Sequence, residues 1–495
     1  MDFGISQIAV TAESKQIFGR VLGSANQRIS ITNVDQGRLR SGRSCQYPAE
    51  SGQEEFNNAV LACNHVRMYS FETVPWKSDM VISAANDPKT PIEILFNPAS
   101  DGYLKDPVPQ YLALANRGAL VWYEPWQAWI MTRMPDIIEC WRTEYLSSDF
   151  YDWEFAPQRP PEDQWSNYER AMIGHSLLAD QGHHRLIRKV VSPAFSRNVV
   201  DEIQRRIKPD VVQLIGDLAG LERFDYIEKV ASHIPFISIS RMVGLPEKYW
   251  PEIKQVVLTF TEAWNPTLSD DRREAARQDS NRAIEILQRV IADRRANPGD
   301  SDFLSVLLKI EEENEKFSDW DIITLILALI GAGADTTLVA QQWTLYSLLK
   351  HPEQIQAALE TPDSFSNAFS EVMRWSTSSK MGFARYAPQD MKVLDQQVRK
   401  GQMVLMMPHL KDHDPAYFVD PERFDVKREF KPDVLFGYGP RYCIGAAMAK
   451  RQLYLTMVEL FKRFPNLQLD GEPEKDNSDH NAVVFRELWV RTDTR

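Results

Sequence analysis

Four short stretches of the chain carry residue types whose spacing can do chemistry. In "LFGYGPRYCIGAAMAK", residues 435 to 450, three glycines stand around Cys443 and the run passes directly into a helical pattern. Glycines there let backbone N–H groups approach a sulfur, and a cysteine just ahead of a helix start is favoured as the anion, so the run suits a thiolate that ligates a soft metal centre. In "GAGADTT", residues 331 to 337, Asp335 and Thr336 place an acid and an alcohol beside Gly331, Ala332 and Gly333, whose small size leaves room for a ligand. In "GHHRLIRKVVSPAFS", residues 182 to 196, His184 and Arg188 share a helical face and both can donate to a carboxylate. In "EVMR", residues 371 to 374, Glu371 and Arg374 are three apart and can pair. Each stretch also has an ordinary reading: a lone cysteine mostly packs, small residues equally mark a close helix crossing, and histidines and i,i+3 ion pairs on helices are usually solvated.

The elements that must position these residues are mostly helical. Apolar residues recur three and four apart in 180–220, 225–260, 272–294, 317–350 and 367–375, which predicts helices. "ALVWYE" and "AWIMTR", split by "PWQ", predict a hairpin, and strands return in "MKVLDQQVRKGQMVLMMP". There is no βαβ rhythm and no internal repeat, so the fold class is mainly α with a small β part. Residues 1–85 carry weak periodic signals and are expected to be an N-terminal extension of unknown role, with residues 86–495 as the main domain.

Taken together, the stretches resemble the cytochrome P-450 family. Phe436, Gly439, Arg441, Cys443 and Gly445 match its haem-binding loop, FxxGxxxCxG with Arg or His two before the cysteine. "GAGADTT" matches (A/G)GxDT(T/S), and "HRLIR" followed by "SPAF" matches the bacterial-type HxxxR and SxAF, an alignment that selects His184 over His183. The likeness covers roughly residues 91 to 492. It implies a long central helix over haem b and a cysteine loop beneath it, with Cys443 as axial ligand. It further implies cofactor contacts from Ala332, Phe436, Gly439 and Gly445, and propionate contacts from His184, Arg188, Arg385 and Arg441. Thr336 would hydrogen-bond dioxygen and Asp335 would relay protons to it. Glu371, Arg374 and Arg423 of "DPERF" would form the family's buried structural network.

The same resemblance implies a monooxygenase that takes electrons from a ferredoxin and its reductase, for the chain carries no flavin or dinucleotide fingerprint. A partner would meet a basic patch of Arg185, Lys189, Lys450 and Arg451. The alternative on the same fold is a peroxide-using peroxygenase or a haem-thiolate isomerase or dehydratase; peroxygenases carry Arg and Pro where this chain keeps Asp335 and Thr336. Aromatic residues Phe150, Tyr151, Trp153, Phe155, Trp165 and Tyr168 suit an apolar, cyclic, terpenoid or steroid-like substrate for hydroxylation or oxidative demethylation, or simply pack a long loop. Lys380 can meet a substrate carboxylate or turn outward.

Composition narrows the classes further. A net charge of -12 argues against nucleic acid as the main partner, and four cysteines without a CxxC argue against zinc and disulfide scaffolds and for a cytoplasmic protein. The start lacks a signal-peptide layout, and no membrane span is expected: the closest run, "IITLILALIGAGA", stops at Asp335 and reads as a buried helix.

Overall fold

A computed structural model describes residues 91–98, 100–156, 158–159, 161–174, 181–262, 270–298, 302–313, 318–379, 382–430, 434–476 and 482–492. The expected N-terminal extension lies outside the described residues. The chain divides into two units, Met1–Arg117 with Tyr123–Trp126, and Gly118–Trp122 with Gln127–Arg495.

The described part of the first unit is held by rings. Its short helices Ile92–Leu95, Asp101–Lys105 and Val108–Ala115 bring Phe96 edge-on to Tyr103, Tyr123 and Trp126. The Tyr103 and Tyr111 hydroxyls lie 2.9 Å apart, and the Tyr123 hydroxyl donates to the Phe96 carbonyl at 3.0 Å. The polar tip of each buried ring therefore has a partner, as burial of a phenol requires.

In the second unit a four-stranded sheet is built from β1 (Leu120–Tyr123), β2 (Ala128–Met131), β3 (Phe383–Tyr386) and β4 (Met403–Met406) in the order β1-β2-β4-β3. β2 runs parallel to β4, and β3 runs antiparallel to it with Arg385 opposite Val404. The neighbourhood of β1 and β2 agrees with the predicted hairpin. Helix α1 (Met134–Thr143) buries Ile137, Cys140 and Trp141 against Leu120, Met131, Val404 and Met406, which ties its register to the sheet.

The expected helix over 180–220 is broken. α2 (Gln181–Val191) gives way to a 3-10 turn at Ser192–Phe195, where Pro193 cannot supply an N–H, before the helix Arg197–Gly216 begins. The centre of the unit is α3 (Asp319–Lys350), 32 residues long and opened by a capping box between Ser318 and Asp321. Its first half enters a core with Ile253, Leu287 and Leu304. Its second half is buried among polar partners: Tyr226 donates to Gln341, Gln341 donates to Thr456, and Gln342 accepts from the Phe485 N–H. The helix thus runs past Asp335, beyond the apolar run seen in sequence. By length and composition it reaches the threshold of a membrane span, with a window of mean hydropathy 2.0, but 67% of that window is buried inside the protein, as in a core helix. Two more helices complete the frame of the site, α4 (Pro362–Trp375), capped by Thr361, and α5 (Ala446–Arg463).

Candidate active site

The cysteine loop is stretched between α1 and α5. Gly437 and Gly439 have φ of 80° and 71°, which favours glycine. A Cβ on Gly439 would lie 2.9 Å from the Trp141 carbonyl oxygen, so the loop is seated directly on the last turn of α1. The Cys443 N–H donates to the Phe436 carbonyl at 2.9 Å, closing the loop, and α5 begins three residues later. The Cys443 side chain is exposed. The protein crowding around the sulfur raises its pKa, while the N–H groups of Gly445 and Ala446 and the charge of Arg188 act against that rise. Phe436 stands beside it, its ring 6.1 Å from Phe369 of α4 and under the Lys450 ammonium at 5.4 Å.

Cationic groups from three elements converge near this loop. His184 of α2 is buried, and its pKa is held down to about 4, first by burial and then by Arg441 and Arg188, with Arg385 in the same sense and Glu144 opposed. Arg188, one turn on, bears on the sulfur of Cys443. Arg385 projects from β3, donates to its neighbour's carbonyl at Ala384, and feels the charge of Arg441. Arg441 Nε donates to Glu144 Oε1 at 2.7 Å. The four propionate candidates named from sequence are therefore brought together, while Glu144, which no motif marked, joins them. Such a cluster of guanidiniums is suited to dianionic ligands.

On α3, Ala332 and Thr336 are exposed and Asp335 half-buried. The Thr336 hydroxyl donates to the Ala332 carbonyl one turn back, at 2.6 Å.

The expected Glu-Arg-Arg network is present with one member corrected. Glu371 and Arg374 are fully buried and paired through two hydrogen bonds, Nε to Oε2 at 2.7 Å and Nη2 to Oε1 at 2.9 Å. The second arginine on Glu371 is Arg428, whose Nε lies 3.1 and 3.2 Å from the carboxylate oxygens. Arg423 contributes its backbone carbonyl to both arginines, but its side chain is 68% exposed and pairs with Asp425. Arg374 gives its remaining N–H groups to the carbonyls of Asp412, Pro421 and Arg423, so a buried charge that would otherwise be costly is fully satisfied.

The aromatic loop packs largely on itself. Phe150 touches Tyr151, Trp153 and Tyr386, Trp153 touches Phe155, and Arg159 covers Tyr151. Lys380 lies outside the described residues. In the basic patch, Lys450 is tied to Ser366 and Arg451 faces Asp201, which leaves the exposed Arg185 and Lys189 of α2 as its outward cations.

The family profile of cytochrome P450 matches residues 231–362 and 365–489. This chain belongs to the cytochrome P450 family. It is 27% identical over 401 residues to the epothilone C/D epoxidase of Sorangium cellulosum, covering 80% of this chain and 94% of that protein. It is 28% identical over 310 residues to the 6-deoxyerythronolide B hydroxylase of Saccharopolyspora erythraea, covering 62% and 74%. Among solved structures, epothilone D-bound cytochrome P450epoK superposes with a TM-score of 0.73 at 24% identity over 81% of this chain and 99% of that one. This P450 is thus an oxidoreductase of the monooxygenase class, mainly α with a small β part, and its cofactor is haem b.

The residues fit that cofactor. Cys443, the exposed thiol among the described residues, would supply a thiolate ligand whose anion the N–H groups of Gly445 and Ala446 favour, and the neighbouring guanidiniums would suit two propionates. Among the described residues no cluster of His, Cys, Asp and Glu forms a separate metal cage. Two residues of the site were missed in sequence. Arg428 stands five positions beyond Arg423 and was available in "DPERFDVKREF"; Glu144 gave no signal, since its role arises from a contact with Arg441, 297 residues away.

Proposed function

We propose that this P450 inserts one atom of dioxygen into a bulky, apolar, cyclic small molecule of macrolide, terpenoid or steroid type, by hydroxylation, oxidative demethylation or epoxidation. The observation that supports the haem-thiolate chemistry is Cys443 itself, exposed on a loop where burial raises its pKa while the N–H groups of Gly445 and Ala446 and the charge of Arg188 act toward its anion. The substrate class is supported by the relatives, whose names specify epothilones C and D and 6-deoxyerythronolide B. Bound haem, with a thiolate ligand, supplies the activation of dioxygen.

The protein's own residues then do the following work. Cys443 would hold the cofactor through its thiolate, while Arg188, Arg385, Arg441 and His184 would hold its propionates. Phe436, Gly439 and Gly445 would shape the surroundings of the sulfur, and Ala332 would contact the cofactor from α3. Thr336 commits its hydroxyl hydrogen to Ala332, so in this arrangement its oxygen is an acceptor; rotation about Cα–Cβ turns it into a donor toward dioxygen. Asp335, next to it, passes protons inward from solvent. Electrons come from a ferredoxin and its reductase docking on the side of Arg185 and Lys189.

A panel of macrolactones, steroids, terpenoids and fatty acids, screened by the change each makes in the haem absorption spectrum, tests the substrate class. The expected hits are macrolactones, steroids or terpenoids, with turnover that requires dioxygen and the electron donors. Efficient turnover with hydrogen peroxide alone would overturn the monooxygenase route.

A further inference from the structure

Helix α1 ends in a conformation its sequence does not favour. Its C-cap, Glu144, has φ 49° and ψ 37°, the left-handed region where glycine or asparagine is the usual occupant. The side chain shows what that conformation achieves: Oε1 accepts from Arg441 Nε at 2.7 Å, with the two side chains 14% and 9% exposed. Beside this pair Gly439 presses on the Trp141 carbonyl, so the last turn of α1 holds the cysteine loop at two points. Charge bookkeeping points the same way. Three guanidiniums, Arg188, Arg385 and Arg441, set against two propionates leave one positive charge over, and Glu144 is the acid that opposes them around His184.

We propose that Glu144 is a positioning residue for the cofactor: it grips the Nε edge of Arg441, so that the other edge of the guanidinium is presented to a haem propionate, and its fixed charge completes the balance of the cationic cluster. The proposal rests on the propionate role of Arg441 advanced above. Because reduction of haem adds negative charge, removal of the Glu144 charge favours the reduced form.

The test uses the full-length, haem-loaded protein and two measurements, the midpoint potential and the rate of haem transfer to apomyoglobin. Glu144→Gln keeps an acceptor and loses the charge; its potential is expected to move to more positive values, with haem transfer within about twofold of the parent. Glu144→Gly removes charge and grip but suits the backbone; it is expected to show the same positive shift and haem transfer about tenfold faster. An unchanged potential in Glu144→Gln, or unchanged haem transfer in Glu144→Gly, would overturn the proposal. Arg441→Leu separates the two layers of the argument. If it releases haem quickly while both Glu144 variants match the parent, only the role of Glu144 fails. If it leaves haem transfer unchanged, the propionate role of Arg441 fails and the proposal falls with it.

Discussion

Thr336 and Asp335 are neighbours in sequence with different duties in the proposed chemistry. Thr336 is exposed, with its hydroxyl back-bonded to Ala332, whereas Asp335 is half-buried. Loss of the alcohol should leave cofactor and substrate binding intact and impair proton delivery. Thr336→Ala is therefore expected to keep consuming dioxygen while product formation falls by about a hundredfold and hydrogen peroxide accumulates; parallel measurement of oxygen uptake, peroxide and product decides it, and a normal product yield would remove Thr336 from the proton path. Single residues were legible in sequence where a local pattern carried them. Cys443, Asp335, Thr336, His184 and Arg188 each sit in a short motif, and the structure places the cysteine, His184, Arg188, Arg385 and Arg441 in one neighbourhood. Glu144 was illegible because its meaning depends on a loop far along the chain and on a backbone angle that side-chain identity does not announce.

At the scale of elements, α4 is anchored by a charge network and not by its apolar stripe alone. Glu371 is wholly buried and receives Arg374, Arg428 and the Asp425 N–H. Arg428→Ala leaves that carboxylate short of a partner in the interior and is expected to cost about 3–5 kcal/mol. Arg423→Ala removes only a surface pair and is expected to cost less than about 1 kcal/mol, because the carbonyl that Arg423 contributes belongs to the backbone. Urea unfolding of the two variants side by side checks this, and equal losses would restore Arg423 to the network. The element boundaries follow the same division between local and distant causes. The start of α3 is written in "SDWD", where Ser318 and Asp321 cap each other, so Ser318→Ala is expected to cost about 1 kcal/mol in the same assay. The course of α3 past Asp335 agrees with the periodicity over 317–350, but that pattern did not announce the burial of Gln341 and Gln342, which they owe to partners on other elements.

Taken whole, this P450 stores a sensitivity to acid. Away from the cofactor, His233, His351, His409 and His413 all have pKa values below the ordinary range, with burial the first cause in each, and His409 is pushed down to about 3. The unfolded chain binds protons at these sites from about pH 6.5 downward while the folded one resists, so stability is expected to fall as pH drops through about 6.5 toward about 3. His409→Gln should flatten that fall relative to the parent in unfolding curves taken across the window; an identical slope would show that His409 does not contribute. Surface charge sets a second whole-molecule expectation. In a chain of net charge -12, Arg185 and Lys189 are outward cations of α2, and the Arg185→Glu, Lys189→Glu variant is expected to raise the KM for the ferredoxin proposed as electron donor by about tenfold with kcat for a saturating donor retained.

The seating of the cysteine loop on α1 also governs when the site can come into being. Glu144 and Arg441 are 297 residues apart, and at ribosomal speeds of about 5–20 residues per second the second partner leaves the tunnel roughly 15–60 s after the first. Throughout that interval the nascent chain carries the seat at the end of α1 without the loop that will rest on it. Capture of haem through Cys443 therefore has to wait until the cysteine loop has been made, long after its seat on α1.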